Sequence, residues 1–175
     1  MLNKYPKTKI TLISLLSLII TLVAFVFWLR SLIPANTNHQ DITITKHQEL
    51  FYLSQGVQEN RGKILAVVTS TDVMGASGKD TGYELTELAR AYYVFKANGF
   101  DVEIASPKGG KPPVVIDGDD MGKFDYAFLN DTAAQKKVDN SIAMADVDAS
   151  QYQAVYFVGG KGAMFDFPEK TAIKS

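Results

Sequence analysis

The sequence predicts an α/β fold, a partial doubly wound parallel sheet, preceded by one N-terminal transmembrane helix. Three observations carry this reading. A twenty-residue apolar segment occupies positions 10–29. Strand and helix patterns alternate between positions 63 and 105. A further apolar strand at 152–158 runs straight into Gly159-Gly160-Lys161-Gly162. At 175 residues, one folded domain is the natural expectation.

The segment at 10–29 is interrupted only by Thr11, Ser14, Ser17 and Thr21. As a helix it spans about 30 Å, the thickness of a bilayer's hydrocarbon core. Trp28 stands at its end, where an interfacial aromatic belongs. Lys4, Lys7 and Lys9 precede it and only Arg30 follows closely. The positive-inside rule then leaves residues 1–9 in the cytoplasm, makes 10–29 a single-pass signal anchor, and puts everything after Pro34 on the extracytoplasmic side. A cleaved signal peptide is the competing reading. Its apolar region is usually shorter, and no small-x-small site appears around Leu32-Ile33-Pro34-Ala35. Residues 30–62 read as a linker. They are polar, apart from weak alternation at Ile42-Thr43-Ile44-Thr45 and an apolar cluster at Leu50-Phe51-Tyr52-Leu53, and form either a tether or a short helix on the domain's edge.

The domain is read from Lys63 to the C-terminus. Residues 64–69 form a nearly continuous apolar run, as a strand buried on both faces requires. After a glycine-bearing loop at 70–80, Thr81-Gly82-Tyr83-Glu84 matches a capping box. Leu85, Leu88, Ala89, Tyr92 and Phe95 recur at helical spacing, and Asn98-Gly99 closes that helix. Residues 100–105 form a second strand, stopped by Ser106-Pro107-Lys108-Gly109-Gly110. A βαβ unit with a parallel sheet follows from this order. Residues 124–138 read as a further helix, and 152–158 as another buried strand.

Composition excludes several chemistries. A net charge of −1 gives no reason to expect a nucleic-acid partner. With no cysteine there is no disulfide, thiolate metal site or cysteine nucleophile. The two histidines, His39 and His47, lie in the polar stretch near the N-terminus, which argues against a histidine metal site and a serine–histidine triad. No metal and no cofactor are therefore expected. Gly78-Lys79 fails the P-loop pattern twice, because Val73 stands where glycine is needed and Asp80 where serine or threonine is needed. Thr69-Ser70-Thr71 is either a plain turn or a cradle for a flavin phosphate. Asp117-Gly118-Asp119-Asp120 lacks calcium-loop spacing and reads as a solvated turn. The glycine loop at 159–162 has two readings. It is a tight turn, or a place where backbone amides meet a developing negative charge at the carboxyl end of a parallel strand.

Four landmarks in order make the pattern specific: the 64–69 strand, Thr81-Gly82-Tyr83-Glu84-Leu85-Thr86-Glu87-Leu88, Ala105-Ser106-Pro107-Lys108-Gly109-Gly110-Lys111-Pro112-Pro113, and Val158-Gly159-Gly160-Lys161-Gly162-Ala163-Met164-Phe165-Asp166. In this the chain resembles the ThiJ/PfpI superfamily of class I glutamine-amidotransferase-like proteins, in the branch with heat-shock chaperones and cofactor-free glyoxalases. The resemblance covers residues 63–175 and implies a partial flavodoxin-like fold. It also implies that Glu87 is the helix glutamate that supports the family's nucleophile, with Ala91 where relatives have proline. Against this stands Glu87 as a surface residue paired with Arg90. Gly160 and Gly162 carry over as oxyanion or substrate-carboxylate amides, and Lys161 stands where many relatives have histidine. Asp166 matches a structural, helix-capping aspartate.

The family nucleophile is a cysteine further downstream, and this chain ends at Ser175 without one. The end is read as a truncation through a fragment, frameshift or shortened gene, with a purposely shortened regulator as the alternative. The expected protein is a membrane-anchored relative of glyoxalase- or amidase-type cysteine enzymes, inactive as it stands. A small aldehyde or amide is its expected ligand and a homo-oligomer its possible assembly. The alternatives are a non-catalytic binding or chaperone-like module, and a flavodoxin-like FMN carrier. An unfinished parallel sheet is also expected to expose a strand edge and an apolar face.

Overall fold

Four consecutive apolar residues, Ile64, Leu65, Ala66 and Val67, are buried at the centre of a parallel sheet, as their unbroken run requires. The computed structural model describes residues 6–32 and 41–168, in two units, Met1–Gln40 and Asp41–Ser175. Residues 1–5 of the expected cytoplasmic end, the 33–40 part of the linker with His39, and the chain end at 169–175 lie outside the described residues.

In the first unit, α1 (Pro6–Ser31) is one 26-residue helix, about 39 Å long. Its Ile13–Ser31 stretch is long and apolar enough to cross a membrane. Two hydroxyls bond back to the helix itself. Thr21 donates to the Ser17 and Leu18 carbonyls at 3.1 and 2.9 Å, and Ser31 to the Trp28 carbonyl at 2.7 Å. Such closure lets polar side chains sit in an apolar helix at low cost.

The second unit runs α2 (Phe51–Ser54), β1 (Lys63–Val67), β2 (Tyr83–Glu84), α3 (Leu85–Ala97), β3 (Asp101–Ser106), β4 (Val114–Val115), α4 (Lys123–Leu129), α5 (Thr132–Asp139), β5 (Ile142–Ala143), β6 (Ala154–Phe157) and α6 (Ala163–Asp166). The sheet order is β5-β3-β1-β6, parallel throughout, with Ile64 opposite Val102 and Leu65 opposite Val155. A separate two-stranded parallel ribbon joins β2 to β4. Strand alternation sends Ala66, Val102 and Ile104 to one face, where Leu88, Ala89, Tyr92 and Phe128 cover them. Leu65, Val67 and Ala105 face the other way under a thinner cover of partly buried Ile142, Met144, Val147, Tyr152 and Phe167. The α/β class and parallel sheet thus stand as read. Gly99, at φ +82°, follows the last turn of α3.

Four expectations change. The capping box at Thr81-Gly82-Tyr83-Glu84 does not form: Tyr83 and Glu84 are extended in β2, and α3 begins at Leu85 without a side-chain cap. The Glu84 amide donates instead to the Gly159 carbonyl at 3.1 Å, a long-range bond that overrides the local signal. The helix read over 124–138 is two helices. Asp131 starts the second by accepting from the Ala133 and Ala134 amides at 3.0 and 3.1 Å. The linker read over 30–62 ends by Asp41, and of its two readings the short helix on the domain's edge is the one seen: α2 packs there, Leu50 is buried in the core and Asn130 donates to the Thr43 and Thr45 carbonyls at 2.9 Å. The strand read over 152–158 is buried only at its end, at Val158. Among the described residues β6 pairs only with β1, so Val155 and Phe157 are 46% and 47% exposed.

Candidate functional site

The carboxyl ends of β1 and β6 meet the start of α3, the place where parallel α/β sheets take ligands. Glu87 lies in the first turn of α3, and its Oε2 accepts a hydrogen bond from the Gly159 amide at 2.8 Å. Tyr156 donates its hydroxyl to the Glu87 carbonyl at 3.3 Å. The helix start and the glycine loop are therefore tied at both ends of one residue. A Cβ at Gly159 would lie 2.9 Å from the Glu87 carboxyl carbon, so a larger residue there would push the Glu87 side chain off the loop. Gly160 takes φ +112°, and its amide, like those of Lys161 and Gly162, donates to no acceptor among the described residues. Such amides are what an oxyanion or a carbonyl oxygen needs.

A cavity of about 750 Å³ opens over this junction, lined among others by Thr81, Glu84, Glu87, Gly160, Lys161 and Met164. A neighbouring depression of about 430 Å³ shares Glu84, Glu87 and Asp117 and adds Arg90 and Tyr156. Of the four residues singled out in the sequence, Glu87, Gly160 and Lys161 line the larger cavity. Gly162 does not: it is buried, and a Cβ there would meet Thr69 Cγ2 at 2.7 Å. The Glu87–Arg90 pair does not form either. Arg90 reaches the fully buried Asp125 at 3.0 Å and Asp120 at 3.3 Å, leaving Glu87 to the loop.

Two participants escape a reading of the sequence. One is the Gly159 amide, whose role exists only through a contact 72 residues away. The other is Glu84, assigned to a helix cap, which lines both cavities. Its Oε1 is buried and has no hydrogen-bond partner among the described residues. Burial pushes its carboxyl above the ordinary range, and the charges of Asp117, Glu87 and Asp120 push the same way. A carboxyl raised in the folded state is most favourable while protonated, so its contribution falls as pH climbs from the ordinary value toward the raised one. Glu84→Gln is therefore expected to raise the melting temperature at about pH 7 while changing it little at about pH 4. Thermal denaturation at the two pH values measures this, and an equal shift at both would sink the assignment.

The Thr69-Ser70-Thr71 loop is filled by the protein itself. The Thr69 hydroxyl lies 2.9 Å from both oxygens of Asp166, and the Ser70 amide donates to Asp166 Oδ2 at 2.7 Å. The donors a flavin phosphate would need are taken by a carboxylate, and Asp166 caps no helix but ties the end of α6 to the turn after β1. Asp117 accepts from the Asp119 amide at 3.1 Å in a turn, and among the described residues no acidic or histidine cluster suits a metal ion.

No protein-family model matches the chain. It is 32% identical over 106 residues to a putative glutathione-independent glyoxalase of Schizosaccharomyces pombe, covering 55% of this chain and 40% of that protein. A second glutathione-independent glyoxalase of the same yeast is 31% identical over 102 residues, covering 56% and 42%. Among solved structures, the 24 kDa Rapid Encystment Protein of Francisella tularensis is 35% identical with a TM-score of 0.57, over 63% of this chain and 50% of that one. Glyoxalase III of Candida albicans shares the fold, with a TM-score of 0.57 at 22% identity over 65% and 49%. The chain spans about half the length of these relatives or less.

Fold and site define a parallel α/β domain in which an acidic helix start is tied to a glycine loop. Homologues named glutathione-independent glyoxalases, together with structural neighbours of the same fold, support the ThiJ/PfpI superfamily for this chain.

Proposed function

We propose that this chain is a membrane-anchored, glyoxalase-type ThiJ/PfpI domain that holds a small aldehyde or amide without turning it over. The bond from the Gly159 amide to Glu87 carries the reading, because it keeps the glycine loop beside a carboxylate at the strand ends. The unpaired Gly160 and Lys161 amides then take the ligand's carbonyl oxygen. No thiol is present among the 175 residues to attack that carbonyl, so the ligand stays bound rather than reacting. Anchoring is supported by α1, and Lys7 and Lys9 at its start favour an extracytoplasmic domain.

The test uses the full chain in detergent, with methylglyoxal added and no glutathione. Expected are saturable shifts of the Gly159 and Gly160 amide resonances and no lactate formed. Glu87→Ala is expected to weaken binding about five- to tenfold, or about 1–1.4 kcal/mol. Lactate production by this chain overturns the non-catalytic reading, and unshifted amides overturn the site. The anchor is tested on native membranes, where alkaline carbonate should leave the protein in the pellet.

A chaperone-like reading has one observation in its favour: Val155, Phe157 and Met164 expose apolar surface, Met164 at 74%. Suppressed aggregation of a client protein, with no aldehyde-dependent shift, would select it.

A further inference from the structure

We infer that Glu84 sets the charge specificity of the cavity, admitting neutral small carbonyl compounds and rejecting their carboxylate counterparts. This rests on the small-carbonyl reading above and adds a selecting residue to it. The cavity wall carries the carboxylates of Asp80, Glu84, Glu87 and Asp117 against the single ammonium of Lys161. Of the two glutamates on the α3 side, Glu87 already has its Oε2 occupied by the Gly159 amide. Glu84 differs in that its Oε1 is closed off from solvent and meets no donor among the described residues. A buried acceptor without a donor is costly, and a second negative charge brought beside it would add to that cost.

Position makes Glu84 effective. Its own amide is bonded to the Gly159 carbonyl at 3.1 Å, so its backbone is fixed against the loop that offers the carbonyl-binding amides. A ligand seated on those amides has Glu84 within its immediate surroundings, where partial desolvation strengthens charge–charge effects over their value in water. An anionic ligand then meets a half-buried carboxylate on the cavity wall. Lys161 offsets this poorly, because it is exposed and its long side chain stays hydrated.

The experiment compares glycolaldehyde with glyoxylate, which share a two-carbon aldehyde and differ in carrying a hydroxyl or a carboxylate. Binding to the full chain in detergent is followed by the Gly159 and Gly160 amide resonances near neutral pH. The unmodified protein is expected to bind glycolaldehyde at least about tenfold more tightly than glyoxylate. Glu84→Gln, which keeps the shape and loses the charge, is expected to cut that ratio to about threefold or less. Equal affinities in the unmodified protein overturn the inference while leaving the small-carbonyl site standing, as does a ratio unmoved by Glu84→Gln. If neither compound shifts the amides, the carbonyl site itself fails and this inference with it. Equal affinities in the unmodified protein overturn the inference even if the variant does not fold.

Discussion

Phe128→Ala is expected to destabilise the domain by about 3–5 kcal/mol, the range for emptying a buried aromatic site. Phe128 is among the largest fully buried side chains, and it belongs to the better covered face of the sheet. Its ring meets Tyr92 edge-on at 5.2 Å and Tyr93 at 6.2 Å between centroids. Both tyrosines belong to α3, so Phe128 is what locks α4 onto the helix that carries Glu84 and Glu87. Alanine would remove apolar contact, lose two aromatic pairs and leave a cavity that helices on either side cannot close. For a domain of this size the melting temperature should fall by about 12–20 °C. Phe165→Ala is the internal comparison. Phe165 is 43% exposed, and its loss should cost about 1 kcal/mol or less. Thermal denaturation of both variants followed by near-ultraviolet circular dichroism measures the difference, and similar losses would place the core elsewhere.

Much of this core is legible in the sequence, for a physical reason. Residues 64–67 are apolar without a break because both faces of β1 are covered, and Leu85, Leu88, Ala89 and Tyr92 share a face because α3 buries one. These patterns are local consequences of burial, so they can be read locally. Leu50 shows the limit. It belongs to a four-residue apolar cluster too short to show a period, and only the fold places it in the core. The break between α4 and α5 did leave a signal, since Asp131-Thr132 is a good helix start, but the surrounding helical residues mask it. The candidate site divides the same way. Glu87, Gly160 and Lys161 are readable through the landmarks around them. Glu84 and Gly159 are not, because their roles arise from a backbone bond and a side-chain bond between segments far apart in the chain. At Glu84 the local capping signature points to the wrong role, and that conflict falls where a long-range contact shapes a cavity.

That long-range contact also sets the expected result for Gly160→Ala, a stability loss of about 2–4 kcal/mol together with at least a tenfold loss of carbonyl binding. Gly160 combines two constraints that alanine cannot meet. Its φ of +112° lies outside the region side-chain-bearing residues adopt at low cost. A Cβ would also stand 2.5 Å from the Gly82 carbonyl oxygen, 2.8 Å from the Glu84 nitrogen and 2.9 Å from the Tyr83 Cα. All three are backbone atoms, so no rotamer change relieves the contact. The loop must retreat from β2 and the start of α3. Retreat stretches the bond between the Glu84 amide and the Gly159 carbonyl, and with it the bond between the Gly159 amide and Glu87. Gly78→Ala separates the two causes. Gly78 also has positive φ, at +65°, but a Cβ there meets nothing within 4 Å. It should cost about 1–2 kcal/mol, the left-handed penalty alone, and leave carbonyl binding unchanged. Thermal denaturation and the Gly159 amide resonance report the two effects. A Gly160→Ala protein that keeps that resonance and its ligand shift would mean that the glycine loop does not depend on its fit against β2.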